Sequence, residues 1–270
     1  MTVQSVGLRA AGMLDMTGKK GLVVGVANEH SLAWAAARNL HAAGGNLALT
    51  HLNDRARPFV ARLASAISAP ILMPCDVLQE GALEAVFETI EQKWGRLDFV
   101  VHAIAWAPAD DLHGRLTDCS PEGFAQAMQV SCHSFIRMAK LAEPLMTEGG
   151  SLTTLSFLGA EKVVDHYNLM GPVKAALESS VRYLAHELGP QGIRVNAISA
   201  GAVKTRAASG IEHFDELIRE TEAKSPLRRA VTADEVGRAA LLLASDHTTA
   251  ITGEILHVDA GFHVDGMIFH

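Results

Sequence analysis

Aromatic residues are scarce in this chain, only 5% of 270 residues, although hydrophobic residues as a whole reach 49%. A core of that size has to be filled by Ala, Leu, Val and Ile, which suits helices packed closely on a buried parallel sheet. Cysteine is sparse as well. Cys75, Cys119 and Cys132 form an odd set at unrelated spacings, which gives no disulfide framework and suits a reducing compartment. Positive charge is in deficit: the formal charge is −7 and no run of Lys and Arg overrides it, which argues against a nucleic-acid partner. No stretch approaches the roughly 20 apolar residues of a membrane-spanning helix, so no membrane partner is expected. The first sixteen residues carry one Arg and no long apolar run, a poor signal peptide. Together these absences predict a cytoplasmic protein, with residues 1–13 as a flexible N-terminal extension and 14–270 as one domain.

Some chemistries are missing too. No GxSxG elbow occurs, so serine-hydrolase chemistry has no support. The thirteen histidines contain no HExxH or comparable ligand pair, and no metal is expected. His102 and His257 fall in strand-like runs, where satisfied core or interface roles are expected.

What is present is a regular alternation of short apolar runs and longer helix-patterned segments. Strands are expected at Gly21–Val26, Asn46–His51, Ile71–Cys75, Leu97–Ala103, Ser151–Leu155, Arg194–Ile198 and Ile255–Val258. Helices are expected at Ser31–Ala43, Gly81–Trp94, Pro121–Leu145, Asn168–Leu188 and Ala233–Ala244. The order implies an α/β fold, a single-domain Rossmann-type doubly wound sheet of about seven parallel strands with helices on both faces. Residues 202–226 interrupt the alternation with small residues, an amphipathic stretch and Pro226. Because they follow the C-terminal end of a strand, where open parallel sheets bind ligands, they are expected to form a substrate-binding lid.

The run LVVGV leads through Gly25 and Ser31 into a helix starting near Leu32. A glycine there permits close backbone approach, and the helix N-terminus offers free N–H groups to a pyrophosphate. Ser31 can cap that helix. The third glycine of the usual dinucleotide fingerprint is absent, and a tight turn with no ligand is the alternative. Asp76 follows a strand end where a carboxylate can accept from an adenine amino group; capping the helix 81–94 is its alternative role. His102-Ala103-Ile104-Ala105 closes the fourth strand with small residues, as approach to a cofactor ribose requires. The second strand ends in LALTHLNDR with no acidic residue for the ribose hydroxyls and no dense basic cluster for a 2′-phosphate. This favours NADH and leaves NADPH open.

Tyr167 opens the segment YNLMGPVKAALESSVRYLAHEL, and Lys174 lies seven residues later. On a helix, seven steps of about 100° fall about 20° short of two turns, so both side chains share one face, roughly 10.5 Å apart along the axis. A tyrosine above a nicotinamide can bond or protonate a substrate oxygen, and the lysine can anchor the ribose and favour tyrosinate character. Ketone-reducing relatives place the two four residues apart, where this chain has Gly171. Hydride delivery to the β-carbon of an enoyl thioester puts negative charge on a more distant carbonyl oxygen, which the longer spacing fits.

The stretches GVANEHSLAW, CDV, HAIAWAP, LSFLGAE, YNLMGPVKA, RVNAISAGAVKTRAASGI and GEILHVDAGF carry a family resemblance. Over roughly residues 14–264 the chain resembles the NADH-dependent enoyl-(acyl carrier protein) reductases of bacterial fatty-acid synthesis. The resemblance implies cofactor contact by Gly25, Ser31, Leu32, Leu52, Asp76, Val77, Ile104 and Lys174. It also implies closure over the cofactor by Val203, Lys204, Thr205, Arg206 and Ala207, with Ala107, Met170, Ile211 and Phe214 near the acyl group. Phe157 departs from the family, which usually has a second tyrosine there. Ala202 replaces a usual proline, and Trp106 a common Phe. Thr154 occupies the place of the ketoreductase serine and is expected to be a sheet residue.

The implied partner is an acidic acyl carrier protein, which a chain of charge −7 repels unless Lys204, Arg206, Arg228 and Arg229 make a basic patch beside the lid. Scattered solubilising charge is the alternative reading of those four. A homotetramer is implied as well, with the apolar faces of 124–145 and 168–188 and the C-terminal GFHVDGMIF as candidates for burial. Two other functions are open: a diverged reductase acting on another activated alkene or ketone, and a non-catalytic nicotinamide-binding regulator. Retention of Tyr167 and Lys174 speaks against the second.

Overall fold

The short apolar runs pair into one sheet in the computed structural model, which describes residues 14–205 and 213–264. Its strands are β1 (Lys20–Val24), β2 (Asn46–His51), β3 (Ile71–Pro74), β4 (Phe99–His102), β5 (Gly150–Phe157), β6 (Ile193–Ala200) and β7 (Ile255–Val258). They lie in the order β3-β2-β1-β4-β5-β6-β7, and every pairing is parallel. The order reverses between β1 and β4, which opens a crevice at the C-terminal ends of those strands. The expected Rossmann-type architecture is therefore present. β5 and β6 run farther than their apolar pattern indicates, ending at Phe157 and Ala200.

Side-chain alternation along the strands builds two cores. Leu22 and Val24 face one side of β1, and Val23 faces the other. Three helices close the Val23 side: α1 (Leu32–Ala42), α2 (Arg57–Ala66) and, near the C-terminus, a helix described below. The opposite face is covered by α3 (Ala82–Trp94), then, past the short α4 (Ala109–Leu112), by α5 (Pro121–Met128), α6 (Ser134–Ala142) and α7 (Met170–Leu188). α8 (Phe214–Lys224) lies in the lid segment, and α9 (Ala233–Ala244) completes the first face. Thr232 and Glu235 form a reciprocal capping box at the start of α9.

Three departures from the sequence pattern have local causes. α2 carries Pro58 in its first turn, where no intrahelical partner is lost, and buries only Val60, Leu63 and Ala64. That stripe is too narrow to mark a helix in the sequence. The expected helix 121–145 is two α-segments joined by a π-turn over Gln129–His133 and closed by a 3-10 turn at Glu143–Leu145. The helix expected from Asn168 starts at Met170 instead, because His166 and Asn168 take left-handed φ of 63° and 37°. The proposed extension 1–13 lies outside the described residues. Among those described, no helix is long and apolar enough to cross a membrane.

Candidate active site

The strand ends at the crevice carry the residues singled out in the sequence. Gly25 follows β1 with φ 104°, and a Cβ there would fall 2.2 Å from the carbonyl oxygen of Ala103 after β4. The glycine thus answers first to the close approach of two strand ends, as its conformation and its space both demand. Ser31 is the N-cap of α1: its Oγ accepts from Trp34 N at 3.3 Å and donates to Asn28 O at 2.7 Å. The amides of Leu32 and Ala33, the first two helical residues, have no intrahelical acceptor and suit an anion. Asp76 does not cap α3, which begins six residues on with Gly81 as its N-cap; Asp76 Oδ1 accepts from Leu78 N at 3.0 Å. Val77 is buried and its carbonyl accepts from Arg137 Nη1 at 3.0 Å. Leu52 is exposed beyond β2, and Ile104 is part-buried beyond β4.

Tyr167 is not helical. It lies in the turn before α7, and its carbonyl accepts from Met170 N at 2.9 Å, so the axial arithmetic for a helical pair does not apply. Tyr167 and Lys174 nevertheless both sit in the buried layer on one face of the sheet. Lys174 Nζ donates to the carbonyl of Leu155 on β5 at 2.7 Å, and the ring of Phe157, two residues along, packs on Tyr167 with centroids 4.7 Å apart. Burial pulls the Lys174 ammonium down to about 8, while Cys132 and Glu178 act the other way. Burial pushes the Tyr167 phenol well above its ordinary value, and Glu178 adds to this. Both influences favour a neutral phenol, a hydrogen-bond donor, over tyrosinate.

His102 ends β4, fully buried, with Nδ1 2.8 Å from Thr154 Oγ1 and Nε2 2.9 Å from Ser134 Oγ. Ser134 spends its proton on Val130 O at 2.6 Å, so its oxygen accepts from His102 Nε2–H. Nδ1 then accepts from the Thr154 hydroxyl, which fixes the tautomer by elimination. Burial, helped by the charge on Lys174, lowers the His102 pKa to about 3 and keeps the ring neutral. Thr154 is a buried sheet residue, as expected. Three residues before Ser134, in the π-turn, Ser131 Oγ accepts from Trp106 N and donates to Trp106 O, both at 2.9 Å. The π-turn and the first residue of α6 thus present two hydroxyls to the end of β4, Ser134 to His102 and Ser131 to the loop carrying Ala107.

α8 covers the C-terminal ends of β5 and β6. Phe214, Leu217 and Ile218 cluster with Ala202, and Leu217 and Thr221 share a small pocket with Phe157, Asp259 and Phe262. His213, just before α8, brings its ring to 4.8 Å from His166, next to Tyr167. Lys204 Nζ pairs with Asp215 Oδ1 at 2.8 Å. Thr205 is the last described residue before the gap, and Arg206, Ala207 and Ile211 lie outside the described residues. Val203 packs against the core of the opposite face, and Ala107 and Met170 are buried.

These residues fit a nicotinamide dinucleotide. Leu155 takes one of the three donors of a buried ammonium, and vicinal ribose hydroxyls suit the rest. A family model described as enoyl-(acyl carrier protein) reductase matches residues 25–263. The chain belongs to that family.

Its similarity to individual members of the enoyl reductase family is close. An NADH-dependent enoyl-(acyl carrier protein) reductase of Rhizobium meliloti (strain 1021) is 49% identical over 259 residues, covering 96% of this chain and 94% of that protein. A crystal structure of the Anaplasma phagocytophilum enoyl reductase, in complex with NAD, superposes with a TM-score of 0.91 at 51% identity, covering 95% of this chain and 97% of that one. The Bacillus cereus enoyl reductase, with NADP+ and indole naphthyridinone, gives 0.92 at 46% identity, covering 95% and 100%.

Within this enoyl reductase, some positions that shape the candidate site escape a reading of the sequence. Gly159 is one: a Cβ there would fall 2.3 Å from Tyr167 Cδ1, so only a glycine lets the turn after β5 press on the Tyr167 ring. Its place in the LSFLGAE stretch is the one available signal. Ser131 and Ser134 give none, because a π-turn and the helix start that follows it have no marker in the residue pattern.

Proposed function

We propose that this enoyl reductase reduces the trans-2 double bond of an enoyl-(acyl carrier protein) thioester in fatty-acid elongation, with NADH as reductant and NADPH as the alternative. The observation that carries the reading is a buried phenol and a buried ammonium beside the crevice of a family member, with a helix of the lid segment over the neighbouring ends of β5 and β6. NADH, when bound, supplies the hydride; position and electrostatics come from the chain. Lys174 holds the ribose with the donors that Leu155 leaves. Tyr167, kept protonated by burial, donates to the thioester carbonyl oxygen as negative charge builds there. Leu32, Ser31 and Gly25 receive the pyrophosphate end, and Asp76, Val77, Leu52 and Ile104 flank the nucleoside. Val203 to Ala207 close over the cofactor, while Ala107, Met170, Ile211 and Phe214 bound the acyl chain. α8 excludes water from the reacting atoms.

The carrier protein meets the rim beside α8. Lys204 is already paired with Asp215, and Arg229 with Glu235, so an acidic carrier has to compete for these cations. A homotetramer in the cytoplasm completes the proposal, with Tyr183 on α7 and Phe124 on α5, exposed at 70% and 42%, as candidates for burial between subunits. The test is loss of reduced-nicotinamide absorbance with a series of enoyl thioesters. Turnover is expected, and Tyr167→Phe is expected to lower kcat by about 10²-fold or more. NADH binding without turnover at any chain length favours a regulator, and turnover of a ketoacyl thioester alone favours a diverged reductase. Full activity in Tyr167→Phe removes the mechanism.

A further inference from the structure

Three consecutive residues of β5 meet three points on α7 and the turn before it. The Leu155 carbonyl takes Lys174 Nζ, the Ser156 hydroxyl donates to Glu178 Oε1, and the Phe157 ring packs on Tyr167. Ser156 and Glu178 are each only 5% exposed. Glu178 follows Lys174 by four residues, so the two share a helix face. A buried carboxylate is expensive, and an apolar side chain would fill the same space at less cost.

We propose that Glu178 is a positioning residue for the reaction, tying β5 to α7 through Ser156 and setting a negative charge behind Lys174 and Tyr167. The inference rests on the reading of those two as the catalytic pair. The groups facing Glu178 are Ser156 from β5, Glu161 from the turn after it, His257 from β7 and Arg182 one turn along α7. His257 stacks on His263, which holds Asp259. Burial raises the Glu178 pKa above its ordinary value, an effect that the Ser156 bond only partly offsets. On Lys174, burial favours the neutral amine, while Cys132 and Glu178 favour the ammonium. On Tyr167, burial and Glu178 both favour the phenol. Behind burial as the larger influence, the Glu178 carboxylate thus favours on both groups the protonated forms that ribose binding and hydrogen-bond donation require.

Glu178→Gln keeps the volume and removes the charge. The NADH dissociation constant, followed by fluorescence over an alkaline series, is expected to start rising at a pH lower by roughly half a unit to one unit, and the alkaline limb of kcat/KM to move with it. Ser156→Ala keeps the carboxyl group and removes the tether; its kcat is expected to fall about tenfold. Superimposable profiles for the wild type and Glu178→Gln overturn the proposal, and so does wild-type kcat in Ser156→Ala. If Glu178→Gln fails to fold, the Ser156→Ala arm decides alone. A wild type that binds NADH and reduces no enoyl thioester defeats the functional reading instead, and the NADH-binding arm still tests Glu178.

Discussion

Replacing Gly159 by alanine tests how tightly the Tyr167 ring is positioned. The new Cβ would lie 2.3 Å from Cδ1 and 2.7 Å from Cε1 of Tyr167. Comfortable carbon–carbon contact is about 3.5–4.0 Å, so the ring has to retreat by about 1 Å or more. Retreat is resisted, because Tyr167 is buried and already packed against Phe157. Alanine's other neighbour, α7, gives no relief: Gly171 approaches so closely that its own Cβ would sit 3.0 Å from Gly159 O. Overpacking of this kind costs about 1–3 kcal/mol, and a misplacement of about 1 Å costs about 10²-fold in rate. The expected Gly159→Ala enzyme has a lowered Tm, a kcat about 10²-fold down and an NADH affinity close to wild type, since the pyrophosphate end is untouched. Thermal melts, fluorescence titration with NADH and initial rates on one enoyl thioester give the three numbers. Wild-type kcat in a protein whose Tm has dropped would refute the argument, because the ring would then have moved without consequence.

Phe157→Tyr restores the residue usual in the family at a half-buried position, where the added hydroxyl can reach water. Stability and kcat are expected to change by about threefold or less in equilibrium or rate terms, read from denaturant melts and initial rates over several acyl lengths; a larger loss shows that the Phe157 shape is matched to the substrate. His102 governs the acid response. Its native pKa of about 3 lies below the ordinary 6.5, so between these values the unfolded chain binds a proton that the native one refuses. The contribution of His102 is intact above about pH 6.5 and is lost as pH falls towards 3, with a slope of up to about 1.4 kcal/mol per pH unit. Urea melts between about pH 4 and pH 7 should be shallower in their pH dependence for His102→Gln than for the wild type. Equal slopes mean that other groups carry the acid sensitivity.

The sequence alone determined the layer architecture and the family. Apolar runs such as LVVGV and DFVVH fit only strands buried on both faces, and their alternation with long amphipathic segments admits a parallel sheet and little else. YNLMGPVKA supplied the Tyr167–Lys174 spacing that separates this family from ketone reducers. Helical periodicity, by contrast, could not show that Tyr167 precedes its helix, because the left-handed backbone at His166 and Asn168, which both residue types tolerate, leaves no trace in the apolar pattern. The tertiary structure also decided the proton positions. His102 finds its partners 52 and 32 residues away, and Ser156 reaches Glu178 across 22 residues. Such pairs exist only once the chain closes, since burial makes an unmet polar group costly and only the closed sheet and helices bring these partners within reach.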